Sequence, residues 1–217
     1  MWALVAALLW VTPWLSSFEG FVVSAAHFVE RHGLVVIVAL GESIDVVGAG
    51  SAGLDLDAGL VLVALASLAL SASLWWLYFS DEAQVERAMH DAPPVRRARL
   101  ALVAFGYWHF GLILGIVSLA AGLKKAIGHP FDPLDGWIAL ALGLGTALFV
   151  LADVGFRKAL ALSRSHIRLV AAAAAAATIP IGTELAATAQ VVALAAIVAL
   201  ALTIEAPRAQ GVTSAAR

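Results

Sequence analysis

Long apolar blocks limit what this chain can fold into. WALVAALLWVTPW opens the sequence, LVLVALASLALSASLWWLYF follows a third of the way along, and LAATAQVVALAAIVALAL lies near its end. A helix needs about 20 such residues to cross the ~30 Å hydrocarbon layer of a bilayer. Strands and open loops cannot cross it, because their amides would have no partners. Blocks of this kind occur at 2–15, 33–50, 58–79, 99–123, 136–154, 168–183 and 185–204. The expected fold class is therefore all-α: a polytopic transmembrane bundle of about seven spans. Composition agrees. Of the 217 residues, 62% are hydrophobic and only 13% charged, with mean hydropathy +0.96, against about 25% charge in an ordinary soluble domain. Residues 1–205 would form a single transmembrane domain and 206–217 a short tail without fixed structure. The last two blocks are split by IPIGTE, where Pro180 and Gly182 predict a tight hairpin.

Basic residues predict the orientation. Arg87, Arg96, Arg97 and Arg99 lie in the 80–99 connection; Arg157, Lys158, Arg164 and Arg168 lie in 155–168; Arg208 and Arg217 lie in the tail; Arg31 lies in 17–32. With seven spans these segments alternate onto one side. That gives an outside N-terminus and a cytoplasmic C-terminus in the cell membrane. Lys124 and Lys125 fall on the other side, where they would snorkel at a helix end. Met1 runs into the first block with no basic leader, which does not read as a signal peptide.

The chemistry concentrates in HFVERHGLVVIVALGESIDVVGAG, residues 27–50. On a helical wheel His27, Glu30, Arg31, Glu42 and Asp45 share an arc of roughly 120° with Gly41 and Gly48, and His32 points the other way. A charge at membrane depth costs at least about 2.5–3.5 kcal/mol. The arc is therefore expected to turn inward, toward a partner or water. Glu42 and Asp45 stand one turn apart, and such a pair would share a proton or hold a cation. The structural alternative is that these groups only lock helices together. Farther on, His109 is either a proton relay or a satisfied core histidine. Gly111 and Gly115 form a GxxxG pattern that predicts close helix contact on a different face from His109. Asp153 and Arg157, four residues apart, would form an ion pair on one helix.

The segment HFVERHGLVVIVALGES at 27–43 resembles the signature of the bacterial low temperature requirement A (LtrA) family, and AGLKKAIGHP at 121–130 is similar to a second block of that family. The resemblance covers most of the chain. It implies a multi-pass membrane protein. It also implies that this chain corresponds to the C-terminal portion of longer relatives, so that it would need further helices or a homo-oligomer to function. Asp45 stands where an uncharged residue is expected in relatives. The family name denotes a growth phenotype and implies no reaction.

The absence of cysteine excludes thiol chemistry, and a net charge of -2 excludes a basic field for nucleic acid. There is no GxSxG, HExxH or P-loop motif, and no lysine in the last block for a retinal Schiff base. Trp2, Trp14, Trp75, Trp76 and Trp137 sit near span ends as an interfacial belt rather than a cofactor box. No cofactor or metal is expected; the partner is the lipid bilayer. The leading expectation is movement of protons, small cations or a small solute along His27, Glu30, Arg31, Glu42, Asp45 and His109. The other classes are a membrane-embedded enzyme on lipid-like substrates and a non-catalytic scaffold or stress-response sensor.

Overall fold

The computed structural model describes residues 10–12, 24–162 and 166–214, with side chains through 206. Its helices are α1 (Ala25–Ser51), α2 (Ala58–Phe79), α3 (Glu82–His90), α4 (Pro94–Leu100), a π-helical segment (Ala101–Trp108), α5 (His109–Gly128), α6 (Gly136–Ala159), α7 (His166–Ala177), α8 (Ile179–Glu184) and α9 (Ala187–Ser214). Among the described residues there is no strand. Six helical units are long and apolar enough to cross a membrane: Ala25–Ser51, Ala58–His90, Pro94–Gly128, Gly136–Ala159, His166–Glu184 and Ala187–Ala206. The expected first span, 2–15, lies outside the described residues except for Trp10, Val11 and Thr12. These are helical, and the Tyr107 hydroxyl donates to the Trp10 carbonyl at 2.6 Å.

Local chemistry sets several boundaries. Asp57 caps α2: its carboxylate accepts from the Leu60 amide at 2.7 Å, which satisfies one of the orphan donors of the first turn. Pro94 opens α4 at the first helical position, where no amide is needed. The same logic shifts the expected hairpin at IPIGTE. Pro180 sits in the first turn of α8, and the break between the last two spans falls just after it, at Leu185 and Ala186. The last helix also runs on to Ser214, where an unstructured tail was expected from 206.

The core seam lies between α5 and α6. A Cβ added at Gly115 would stand 2.7 Å from the Phe149 amide nitrogen and 2.8 Å from the Gly145 carbonyl oxygen. One added at Gly145 would stand 2.9 Å from the Leu119 amide nitrogen. The expected glycine contact is therefore real, and its partner surface is Gly145. α1 packs on α5 and α2, and α7 packs on α6 through Ala171, Ala172 and Ala175.

The bundle has two distinct ends. At one, the 129–134 loop is sewn to the α8–α9 turn: Leu134 donates to the Gly182 carbonyl at 2.8 Å, Ala187 to Asp132 at 2.9 Å and Thr188 to Pro130 at 3.0 Å. At the other, Asp81 meets Arg157, and Arg168 meets Glu205. The basic connections after α2 and after α6 and the end of α9 therefore share one end, as the alternation of spans requires. Single cysteines at Arg96 and Lys158 should accordingly be labelled by a membrane-impermeant maleimide from the same side of oriented vesicles, and one at Phe131 from the other. Opposite labelling of Arg96 and Lys158 would overturn this topology.

Candidate functional site

Three groups of polar residues stand out; each includes residues that the sequence singled out, and only the third is a group that the sequence itself assembled. The first is an ion network that joins the ends of four helices. Asp81 lies in the turn between α2 and α3, Asp153 and Arg157 on α6, Arg168 in the first turn of α7 and Glu205 on α9. Arg168 is 2% exposed and Asp153 likewise 2%. The guanidinium is held on every side: Nη1 donates to Asp153 and, at 3.3 Å, to the Leu77 carbonyl, while Nη2 stands 2.9 Å and Nε 3.0 Å from Glu205 Oε2. Arg157 pairs with Asp81. The expected Asp153–Arg157 pair within one helix is thus replaced by cross-helix pairs. Both side chains point into the bundle, where partners from α7 and the α2–α3 turn satisfy the fork geometry of guanidinium better than a helix neighbour does.

The second group lies one layer deeper. The π-helical segment carries one extra residue in its turn, and the His109 amide reaches back five residues to the Ala104 carbonyl. His109 is thereby delivered to the interior, 4% exposed, and neither ring nitrogen has a hydrogen-bond partner among the described residues. Its ring faces that of His32 edge-on at 5.2 Å, with Tyr78 at 5.9 Å and Phe105 at 6.2 Å. The His32 Nδ1 lies 2.8 Å from the Phe28 carbonyl, which can only accept. Nδ1 is therefore the donor of that bond. His109 and the glycine stripe do face different neighbours, α1 and α6 respectively. The sequence reading set His32 aside because it lies off the charged arc. That is why it faces the bundle.

The third group is the arc itself, and here the expected direction is reversed. The buried residues of α1 are Ala25, Val29, Gly33, Val36, Leu40, Ser43, Val46 and Val47. They occupy the side of the wheel roughly opposite the charges. His27 and Glu30, 4.0 Å apart, are 61% and 71% exposed, and Arg31, Glu42 and Asp45 are exposed too. A Cβ added at Gly41 or Gly48 meets nothing within 4 Å. The wheel separates the faces correctly, but apolar packing onto α5 and α2 takes the valine face and leaves the charges outward. The structure therefore does not bring His109 together with the other five. Nor does any group of three or more His, Cys, Asp or Glu side chains able to hold a metal occur among the described residues. A narrow cleft beside Tyr78, lined by Val29, Gly33, Glu82, Val85 and Phe156, opens between α1, α2, α3 and α6.

No solved structure matches the chain. An uncharacterized protein of Rhizobium meliloti (strain 1021) is 30% identical over 135 residues, which is 61% of this chain and 30% of that protein. The chain thus spans less than half the length of that curated relative. Residues 1–203 match the family model of the bacterial low temperature requirement A protein (LtrA), so that the match takes in the charged α1, the His109 helix and the Asp153–Arg168 pair together. With its six apolar spans and this match over nearly all its length, the chain is a multi-pass integral membrane protein and belongs to the LtrA family.

Proposed function

We propose that the protein moves protons or a small monovalent cation across the cell membrane, with its C-terminus in the cytoplasm. His27, Glu30, Arg31, Glu42 and Asp45 serve as stations along one face of α1, and His109 as a station inside the bundle. The observation that carries this reading is the charged face of α1, which no described residue covers. At membrane depth each ionised group disfavours hydrocarbon by about 2.5–3.5 kcal/mol or more, so lipid is the one covering this face cannot have. Water or a further protein surface along α1 meets that requirement. His109, buried with no hydrogen-bond partner among the described residues and ring to ring with His32, suits the exchange of a proton.

In proteoliposomes loaded with a pH-sensitive dye, an imposed gradient of protons, sodium or potassium should dissipate faster than in empty vesicles. Glu42→Gln should reduce the rate by about tenfold or more, as expected for loss of a positioned proton-transfer group, and His109→Gln should act in the same direction. Asp45→Asn should reduce it less, because Asp45 lies nearer the end of α1. The ion network favours a second reading. A guanidinium paired on every side holds helices and transfers nothing, as in a scaffold or sensor. Absence of flux for all three ions, with the protein folded, would leave that second reading standing and remove the first.

A further inference from the structure

The charged face of α1 has a pattern that lipid does not explain. His27, Leu34, Gly41 and Gly48 recur every seven residues, and Arg31, Val38 and Asp45 recur every seven between them. Together they form a single seam with alternating spacings of four and three, the spacing at which one helix meets a second packed along it. All lie on the outward side of the bundle. Leu34 is 49% and Val38 75% exposed, and Gly41 and Gly48 open onto empty space. Glycines at such positions let two backbones approach closely.

We propose that a second copy of this chain packs on this face, α1 against α1, about a two-fold axis along the membrane normal. Both copies insert with the same topology, so the helices run parallel and equal positions meet at equal depth. The charges then fit reciprocally. Arg31 lies on the seam and Glu30 beside it, so Glu30 of each copy reaches across to Arg31 of the other, and the pairing occurs twice. Deeper along the seam, Glu42 and Asp45 of the two copies converge on the axis as four carboxylates. Association and flux are separate readouts. The dimer stands on the seam and its charges, whatever the cargo.

The absence of cysteine makes the test clean. In native membranes treated with a mild oxidant, Leu34→Cys and Gly48→Cys should give disulfide-linked dimers. Leu65→Cys and Leu200→Cys, each 60% exposed on α2 and α9, should not. Glu30→Arg and Arg31→Glu should each lower the Leu34→Cys cross-link by about fivefold or more, and the two together should restore it, because the swap keeps the reciprocal pairs. Dye-labelled protein in sparse liposomes should bleach in two steps. Equal cross-linking at Leu65→Cys, a charge swap that fails to restore what the single changes remove, or single-step bleaching would each overturn the dimer. Single-step bleaching would leave the face to a different protein.

Discussion

Replacing Arg168 by methionine should destabilise the bundle by about 3–5 kcal/mol, the loss expected when one partner of a buried ion pair is removed. The side chain is among the largest fully buried ones, and its removal would leave Asp153 facing an apolar interior with no cation in contact. Asp81 and Glu205 are partly open to solvent and would rehydrate, so Asp153 is the group that suffers. Adding Asp153→Asn to Arg168→Met should therefore recover a large part of the loss. Denaturation in mixed micelles, followed by circular dichroism, gives both numbers. If Arg168→Met alone unfolds with the wild-type midpoint, the network is not what ties α6, α7 and α9 together.

Gly115→Ala should be the next most damaging small change. The added methyl would meet backbone atoms of α6, which cannot rotate away, so α5 and α6 must separate at their closest point. Overpacking of this kind typically loses about 1–3 kcal/mol. Gly48→Ala makes the same chemical change where nothing lies within 4 Å. Alanine is also the better helix former, by about 0.8–1.0 kcal/mol. In monomeric protein it should leave stability unchanged or raise it. The same denaturation assay compares them; equal losses at the two sites would mean that the α5–α6 seam is not close-packed.

The spans were legible because hydropathy is a local property. The block at 58–79 coincides with α2, and 136–154 starts where α6 starts. Helix ends were less legible where the terminal turns are mixed in composition, as in the first turn of α1 (AAHFVE) and the last turns of α5 (KKAIG) and α6 (GFRKA). The charged arc was visible on the wheel, but a wheel gives separation of faces and not direction. Direction depends on which face the neighbours take, and α5 and α2 take the valines. The ion network was not legible. Asp81, Asp153, Arg168 and Glu205 are far apart in sequence, and the nearest-neighbour rule paired Asp153 with Arg157 instead. The His32–His109 contact was hidden for a similar reason. ALVAFGYW contains no proline or other mark of an extra residue, so the turn that aims His109 could not be read from it.

That wide turn makes the third span a screw with a movable fault. A π turn holds one residue more than the α-helix around it. Exchanging a five-residue bond for a four-residue one at its far edge would pass the surplus residue along the helix. Each such step turns the side chain it crosses by about 100°. His109 is the first residue beyond the fault. One step toward α5 would swing its imidazole away from His32 while leaving the ends of the span, and the glycine seam beyond, where they are. The bundle therefore contains a site at which a single interior side chain can change its facing without any helix moving through the membrane.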